Sequence, residues 1–445
     1  MSSMLQVDSL EFSERGFGPV SFQLERGETL LLCGLSGSGK STLCQLLCRR
    51  REASGGKIDS VEGLSVGYIA HDFENQLLGT TVSEELELGV ARLDDSTLVR
   101  EALDQLKGEL EGQWDDDPQD ISKADQQILL LFCLVRSGAQ LLVLDESLSY
   151  LDPAQWVRFL AAVTSLKQAG VTTILVSHQP ECLQEVGRVL FLESGKVAYD
   201  GSPRGFDRAL QERAGLFRVS RQPGNSGCPA GLERESDEVV LRLDGHCTDL
   251  RPSETFVVGG LAGSGKSWVM GALFGLWSDP RWVKEGALHS TALLRQNVGP
   301  SFWRGSLLEE WSTGLGCHGQ LPEELKNSLW QAIPGEWVEK SPHHLSNGQL
   351  RYFGALSLMG QFPKLLFLEQ PFQGLDGRLR RRLLTCLDAF LESGGRLVIS
   401  TNSPSTATLL GDKVAWLTSG SVSFSGAVGD PEWEAYTGSL RESWR

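Results

Sequence analysis

One short pattern occurs twice in this chain of 445 residues and limits its fold more than any other feature. GLSGSGKST begins at Gly34 and GLAGSGKSW begins at Gly260, and both fit G-x-x-x-x-G-K-[ST]. In that pattern glycines let backbone N–H groups surround phosphates, the lysine reaches the outer phosphates, and the hydroxyl binds Mg²⁺. Each copy follows an apolar run, at residues 30–33 and 255–258. The pattern therefore predicts two phosphate-binding loops, each preceded by a buried strand.

The two loops supply most of the candidate nucleotide-binding residues. In the first half these are Gly34, Leu35, Ser36, Gly37, Ser38, Gly39, Lys40, Ser41 and Thr42. In the second half they are Gly260, Leu261, Ala262, Gly263, Ser264, Gly265, Lys266, Ser267 and Trp268. Ser41 and Ser267 are also candidate Mg²⁺ ligands, because the hydroxyl after the lysine has that role in the pattern. Trp268 stands where the first loop has the small hydroxyl residue Thr42.

Further landmarks recur at a nearly constant offset, which indicates a tandem repeat of one domain. Lys40 and Lys266 are 226 residues apart (266 − 40), and Asp145 and Glu369 are 224 apart (369 − 145). The length also exceeds what one hydrophobic core usually supports. Between the repeats lies RQPGNSGCPAGLERES, which is rich in Gly, Pro, Ser and charge without periodicity. We predict a first domain at 1–219, a linker at 220–237 and a second domain at 238–445.

Short apolar strands alternate with helical segments in each half. The clearest strands are LLVLDE at residues 141–146 and LLFLEQ at residues 365–370, and both end in acidic or amide side chains. Each half closes with a segment that alternates like a hairpin, GKVAYDGSP and GSVSFSGAV. This order predicts an α/β fold with a mostly parallel sheet flanked by helices. Ligands in such sheets bind at the carboxyl ends of the strands.

Composition and charge exclude several classes of protein. The formal net charge of −16 argues against nucleic acid as the main partner, which requires clustered Lys and Arg. The longest unbroken apolar stretch, residues 128–135, is far too short to span a bilayer. The N-terminus lacks the pattern of a secretory signal, and no cysteines form a C-x-x-C pair. These features predict a cytoplasmic protein with reduced thiols.

Both halves resemble the nucleotide-binding domains of ABC ATPases, over roughly residues 5–205 and 238–428. The resemblance implies two tandem P-loop domains, each with an antiparallel β subdomain and a helical subdomain beside the main sheet. It implies ATP and Mg²⁺ as ligands and Lys40 as a catalytic contact to phosphate. LLVLDE resembles the Walker B strand, so Asp145 is expected to hold Mg²⁺ and Glu146 to polarise the attacking water. His178, which follows TTILVS, resembles the switch histidine near the γ-phosphate.

The family's signature LSGGQ is preserved in only one half. LSNGQ at residues 345–349 makes Ser346, Gly348 and Gln349 candidate contacts to the γ-phosphate. The first half has ISKAD at residues 121–125, where Lys123 and Ala124 replace glycines. We expect Asp125 to add a negative charge facing phosphate.

In this family ATP lies between the loop of one domain and the signature of the other, which implies two unequal sites. Site one combines Lys40, Ser41, Asp145, Glu146 and His178 with LSNGQ. Site two combines Lys266, Ser267, Glu369, Gln370 and Asn402 with ISKAD. We predict that site one hydrolyses ATP and that site two binds nucleotide mainly to hold the domains together. The alternative is scattered drift with both sites active. We expect the two halves to pair within one chain, and exchange between chains, which would use the same residues, is the alternative.

The Q-loop position does not follow this division between the sites, because the family's glutamine is replaced in the first half and kept in the second. LLRQN places Gln296 at that position in the second half, where it is a candidate metal ligand. The first half has His71 instead, which can hydrogen-bond water or a partner. A base-stacking aromatic near the N-terminus is also expected. Phe12 is a candidate for that role, with a core position as the alternative.

The segment DFENQLLGTTVSEELELG at residues 72–89 resembles the ATPases of energy-coupling factor transporters. Gln76, Thr81, Val82 and Glu84 fit that family's pattern, whereas Phe73 replaces its usual proline. The resemblance implies an importer subunit, peripheral at the cytoplasmic face of the membrane. Its partners are then an integral membrane component and a substrate-capture subunit. Aromatic residues that either line the docking groove or belong to the core are Phe302, Trp303 and Trp311.

Two alternative functions remain open from the sequence. One is a soluble tandem ABC ATPase that acts on ribosomes or nucleic acid, for which the short link and acidic charge are unfavourable. The other is a nucleotide-gated clamp with negligible turnover. The transported substrate does not follow from this chain, because substrate contacts in the family lie on other subunits.

Overall fold

A computed structural model describes residues 3–13, 16–70, 73–88, 97–216, 239–286, 290–296, 304–315 and 321–444. The chain divides into two compact units, Met1–Arg218 and Val219–Arg445. The predicted linker at 220–237 lies outside the described residues.

Nine strands of the first unit form two sheets. They are Ser3–Phe12 (β1), Phe17–Glu25 (β2), Thr29–Cys33 (β3), Gly55–Ser60 (β4), Val66–Ile69 (β5), Leu141–Asp145 (β6), Thr172–Val176 (β7), Arg188–Glu193 (β8) and Lys196–Gly201 (β9). A three-stranded antiparallel sheet has the order β2-β1-β4. A six-stranded sheet has the order β5-β6-β7-β3-β8-β9, in which only β9 runs antiparallel to its neighbour. The closing hairpin of the first half is β8–β9, as the alternating sequence predicts.

The helices of the first unit either follow the phosphate-binding loop or form a separate helical group. They are Lys40–Leu47 (α1), Val82–Leu88 (α2), Thr97–Gly108 (α3), Lys123–Arg136 (α4), Pro153–Gln168 (α5) and Arg208–Ala214 (α6). Helices α2, α3 and α5 all pack against α4. The start of α5 is fixed by a capping box between Asp152 and Gln155 with Pro153 at the first turn.

The second unit repeats this plan. Its strands are Val239–Leu243 (β10), His246–Leu250 (β11), Thr255–Gly260 (β12), Trp282–Glu285 (β13), Thr291–Leu294 (β14), Leu365–Glu369 (β15), Arg396–Thr401 (β16), Lys413–Thr418 (β17) and Ser421–Ala427 (β18). They form a three-stranded sheet, β11-β10-β13, and a six-stranded sheet, β14-β15-β16-β12-β17-β18. Its helices are Lys266–Phe274 (α7), Leu307–Leu315 (α8), Glu323–Ala332 (α9), Asn347–Gly360 (α10), Gly377–Glu392 (α11), Pro404–Leu410 (α12) and Pro431–Ser443 (α13).

The buried strands of each main sheet carry apolar side chains on both faces, and this explains why they appear as unbroken apolar runs in the sequence. Successive side chains of a strand point to opposite faces. On β3, Leu30 and Leu32 belong to the core beside the three-stranded sheet, whereas Leu31 belongs to the core beside the helices. The fold is therefore the predicted pair of P-loop domains, each with a mainly parallel sheet, an antiparallel β subdomain and a helical subdomain. No helix within the described ranges has the length and apolar character needed to cross a membrane.

Candidate functional site

Both phosphate-binding loops join a central strand to the helix that follows it. In the first unit β3 ends at Cys33 and α1 begins at Lys40. Gly34 has φ 148°, and a Cβ added there would lie 2.3 Å from the Leu192 carbonyl oxygen. Gly260 has φ 153°, and its Cβ would lie 2.7 Å from the Leu417 carbonyl oxygen. Only glycine fits this conformation and this spacing, so both loops keep the backbone shape that surrounds phosphate.

The loop lysines are buried and point back into their loops. Lys40 Nζ donates to the carbonyl oxygens of Gly34 at 2.8 Å and Leu35 at 3.1 Å. Lys266 Nζ donates to the Leu261 carbonyl oxygen at 2.5 Å and to Ser264 Oγ at 3.3 Å. An ammonium group fixed within a loop of backbone N–H groups gives both units the charge that phosphate requires.

Two acidic residues lie at the carboxyl end of β6, the strand next to β7 in the first unit. Asp145 is the last residue of β6 and is 3% exposed. Glu146 follows it with φ 55°, a left-handed conformation that turns the chain sharply at the strand end. The counterpart of Glu146 in the second unit, Gln370, has φ 45°. The turn is thus the same in both units, and only the chemistry of the side chain differs.

Glu146 contacts His178 directly. His178 Nε2 lies 3.1 Å from Glu146 Oε1, and the histidine ring is 6% exposed. Because an ionised carboxylate only accepts hydrogen bonds, the ring nitrogen is the donor. The structure therefore brings together the two residues that the sequence assigns to catalysis, and the buried ring orients the carboxylate of Glu146.

The surroundings of Asp145 fit a magnesium ion. Tyr68 donates its O–H to Asp145 Oδ2 at 3.0 Å, and the nearby Ser41 hydroxyl opposes the rise that burial causes in the pKa of this carboxylate. Asp145 Oδ1 is buried without a hydrogen-bond partner among the described residues. A buried, unsatisfied carboxylate oxygen beside a hydroxyl matches the hard oxygen ligands that Mg²⁺ prefers. Ser41 and Asp145 would hold the ion, which when bound neutralises charge on the phosphates.

Burial raises the pKa of Asp145, and the Glu146 carboxylate raises it further. A raised pKa means that the folded unit binds this proton more tightly than the unfolded chain, so the ionised carboxylate destabilises the metal-free fold at neutral pH. We expect Asp145→Asn to raise the melting temperature of the nucleotide-free protein by about 2–4 °C, the shift that about 1 kcal/mol gives at this size. Thermal melting by calorimetry measures it.

The control for this prediction is Asp59→Asn, because the Asp59–Lys57 ion pair is exposed and such pairs contribute little to stability. The same two variants are also melted with added MgATP, which is expected to stabilise Asp59→Asn more than Asp145→Asn. A melting temperature that falls for Asp145→Asn alone would contradict the destabilising role of this carboxylate.

The second unit uses its acidic residue differently. Glu369 Oε2 accepts the backbone N–H of Gln296 at 2.9 Å, and Arg351 donates to the Gln296 carbonyl oxygen at 2.6 Å. The Gln296 amide donates to Gln373 Oε1 at 3.2 Å. Burial raises the pKa of Glu369, and the Gln296 hydrogen bond opposes that rise. The longer side chain of Glu369 therefore holds the backbone at the Q-loop position, a contact that the sequence did not predict.

The intact signature begins helix α10. Ser346 is the N-cap, and its Oγ accepts the Gln349 N–H at 3.3 Å while Gln349 Oε1 accepts the Ser346 N–H at 3.0 Å. This capping box leaves Ser346 exposed at the helix N-terminus. A Cβ on Gly348 would lie 2.1 Å from the Gly374 carbonyl oxygen, so that glycine is required for the fold of this turn.

In the first unit the polar side chains of ISKAD, the altered signature, bond to residues of the same unit. Ser122 donates its hydroxyl to Asp125 Oδ2 at 2.6 Å, and Arg158 of α5 donates to Asp125 Oδ1 at 3.0 Å. Lys123 forms an ion pair with Glu74 at 2.7 Å. The Asp125 carboxylate is buried and directed toward Arg158, which also pairs with Glu109, so the expectation that it adds a negative charge facing phosphate stays a prediction. ISKAD starts a helix within the first unit and has its polar groups satisfied there.

Other sequence candidates have different outcomes. Phe12 is 8% exposed and belongs to the core of the first unit, and Trp311 is 4% exposed in the core of the second. These positions favour the core alternative for both. Candidates that lie outside the described residues are His71, Phe302 and Trp303.

Two contacts near the first site were not predicted from the sequence, one made by Tyr68 and one by Gln76, which was noted only as part of the energy-coupling factor pattern. Tyr68 binds Asp145 from the neighbouring strand β5. Gln76 accepts the Ala70 N–H and donates to the Tyr68 carbonyl oxygen, each at 2.8 Å, and so fixes the chain on both sides of the Q-loop position. The available signal was a tyrosine near the end of a strand that leads to the Q-loop.

Comparison with known families agrees with this geometry. The profile of the ABC transporter family matches residues 17–149. A second profile matches residues 321–407, and its description is an AAA domain provisionally assigned to the AbiEii toxin of a type IV TA system. The first match spans the phosphate-binding loop and the Walker B strand of the first unit, and the second spans the intact signature.

Individual relatives extend the similarity over the whole chain. A provisionally named ABC transporter ATP-binding protein of Methanosarcina acetivorans is 25% identical over 86% of this chain and 82% of its own length. The energy-coupling factor transporter ATP-binding protein EcfA1 of Fusobacterium nucleatum is 30% identical over 45% of this chain and 83% of its own length. A solved structure described as a model of ribosome-bound archaeal Pelota and ABCE1 has a TM-score of 0.73 over 97% of this chain and 80% of its own. Its identity is 16%, so it shows a shared fold.

Proposed function

The chain belongs to the ABC transporter ATP-binding proteins, a family that hydrolyses ATP, and from this premise we propose that its two halves have different tasks. The first half supplies the residues that hydrolyse ATP. The second half supplies the signature that completes this site, and its own loop binds a nucleotide that is retained. The contact between Glu146 and His178 carries this proposal. The second half has Gln370 and Asn402 at the same positions, and neither can act as a base.

At site one each residue has a separate role. Lys40 and the loop N–H groups hold the phosphates, and Ser41 and Asp145 hold Mg²⁺. Glu146 accepts a hydrogen bond from the attacking water, and His178 keeps its carboxylate in position. Ser346, Gly348 and Gln349 of the intact signature contact the γ-phosphate. The helix N-terminus that Ser346 caps is suited to this anion.

At site two we propose binding without turnover. The loop from Gly260 to Trp268 holds the phosphates, and Ser267 and Gln296 hold Mg²⁺. The amide of Gln370 cannot take a proton from water. The contribution of ISKAD is small, because the Ser122 hydroxyl is already bonded to Asp125.

We further propose that the chain drives an importer of the energy-coupling factor type. The relative of that type is 30% identical, and its pattern matches the segment around Gln76. Within that segment Leu78 is 78% exposed, whereas the adjacent Leu77 is buried. Single exposed apolar side chains are common at protein surfaces, so Leu78 supports this proposal only together with the sequence pattern of the segment that contains it. The partner is an integral membrane component, with the chain peripheral at the cytoplasmic face.

The test is capture of that membrane component in detergent. The tagged chain is expressed with a transmembrane component of an energy-coupling factor transporter from the same organism, and the amount that co-purifies is measured. We expect capture by the unaltered chain and a loss of about tenfold or more with Leu78→Asp, the size of effect of an interface anchor. Val157→Asp on α5, which alters another exposed apolar side chain, is the matched control.

A soluble tandem ABC ATPase that acts as a clamp is the second candidate. The structural neighbour with ribosome-bound ABCE1 supports a common fold, and at 16% identity it supports no common task. Capture of no membrane component, together with ATPase activity that such a component leaves unchanged, would favour this candidate over the importer.

A further inference from the structure

Trp268 is an exposed aromatic side chain beside the second phosphate-binding loop. It is the third residue of α7 and is 52% exposed. The N-terminal turn of a helix after such a loop faces the phosphates, so the side chains of that turn start next to them. In the first unit the same position is Thr42 (268 − 226 = 42), which is 6% exposed. The large exposed ring is thus a feature of the second loop.

The ring of Trp268 is held in a fixed orientation. It stacks on Trp277 with 4.8 Å between ring centroids and an interplanar angle of 28°. Its indole N–H donates to Asp279 Oδ2 at 3.2 Å, and the Trp277 indole N–H donates to the Trp268 carbonyl oxygen at 3.1 Å. Hydrogen bonds from Arg281 lower the pKa of Asp279 to about 2, so the acceptor stays ionised. The exposed ring is therefore preorganised.

A glycine within α7 makes room for the second ring. A Cβ on Gly271 would lie 2.2 Å from Cζ2 of Trp277. Glycine inside a helix is less favourable than other residues, so its presence is explained by the ring that lies against it. The corresponding residues of the first unit are Gln45 (271 − 226) and Arg51 (277 − 226), which cannot form this arrangement.

The first two strands of the second unit carry no large aromatic residue that could stack on the base, although one is expected near the N-terminus of such a domain. Strands β10 and β11 and the turn between them, residues 239–250, have the sequence VVLRLDGHCTDL, which contains no Phe, Tyr or Trp. We propose that Trp268, supported by Trp277, is the stacking platform for the purine base of the nucleotide at the second loop. This inference rests on the proposed function, in which the second loop binds nucleotide.

The chemistry of the platform also sets its selectivity. Stacking uses the flat face of the base, which every purine has. The indole N–H of Trp268 is bonded to Asp279, and Asp279 is paired with Arg281. The platform therefore contacts the face of the base and makes no hydrogen bond to the groups on its edge. We expect ATP and GTP to bind the second loop with similar affinity for this reason.

The experiment separates base binding from phosphate binding. Binding of ATP, GTP and inorganic tripolyphosphate is measured by calorimetry on the full chain carrying Lys40→Ala, which disables the first loop. In that background we expect Trp268→Ala to weaken ATP and GTP about tenfold, within the range of base–aromatic stacking, and to leave tripolyphosphate within about twofold. Trp268→Phe, which keeps an aromatic face, is expected to retain ATP affinity within about threefold.

The matched control is Trp330→Ala, which removes another exposed tryptophan, 44% exposed on α9. It is expected to change no affinity. Unchanged ATP affinity in Trp268→Ala, or equal weakening of ATP and tripolyphosphate, would overturn the platform and leave nucleotide binding at the second loop intact. If the Lys40→Ala protein bound none of the three probes, the second loop would not be a nucleotide site, and the proposed function itself would fail there.

Discussion

Replacing Glu146 by Gln is expected to lower the kcat of ATP hydrolysis by about 10²–10⁴-fold, the usual contribution of a positioned general base. The substitution keeps the size of the side chain and its left-handed turn, since the second unit has glutamine in the same conformation at Gln370. It removes the carboxylate that accepts the hydrogen bond of His178. Steady-state phosphate release measures the loss, and equilibrium binding of ATP is expected to persist.

The matched variant is Gln370→Ala in the second unit. It alters the equivalent position after β15, where no carboxylate is present, and is expected to keep most of the activity. Losses of similar size in the two variants would refute the division of tasks between the halves. Full activity in Glu146→Gln would refute the catalytic role of this carboxylate.

The second large effect is expected at the intact signature. We expect Ser346→Ala to lower kcat by about 10²-fold, the effect of removing one donor to a transition-state oxyanion. Ser346 Oγ accepts the Gln349 N–H, a bond that does not use its own O–H proton. That proton is the group proposed to serve the γ-phosphate at site one. The same phosphate-release assay measures the effect.

Ser122→Ala provides a close control, because both serines cap a helix and both variants lose that cap. Loss of a cap costs about 0.5–2 kcal/mol of stability, so thermal melting is expected to shift alike in the two proteins. The Ser122 hydroxyl donates to Asp125, and its removal is expected to leave the rate nearly unchanged. Equal rates for the two variants would remove the basis for assigning the signature of the second half to site one.

Local features of the site were predictable from the sequence, and features that join distant segments were not. The phosphate-binding loops and the strand before Asp145 depend on residues that are adjacent in the chain. The sequence therefore predicts their shape. The bond of Tyr68 to Asp145 joins residues on neighbouring strands, 77 positions apart. Pattern and spacing within one segment contain no information about such a contact.

Asp125 illustrates the same limit. Its place in the signature indicates a charge near phosphate, and the sequence does not reveal that its carboxylate pairs with Arg158, which lies 33 residues further along the chain. Glu369 is a second example, because it stands at the position of Asp145 in the repeat and its partner is the backbone N–H of Gln296. In both cases the side chain is directed by a neighbour that only the tertiary fold supplies.

The hydrogen bonds that Glu369 and Arg351 form with the backbone of Gln296 restrict the movement of this segment. Glu369 binds the N–H of Gln296 and Arg351 binds its carbonyl oxygen, so this piece of backbone is secured by protein alone. We therefore expect the backbone at Gln296 to keep its position whether or not the second loop holds nucleotide. A structural response to the metal is expected instead in the first half, where Asp145 Oδ1 is buried without a hydrogen-bond partner among the described residues.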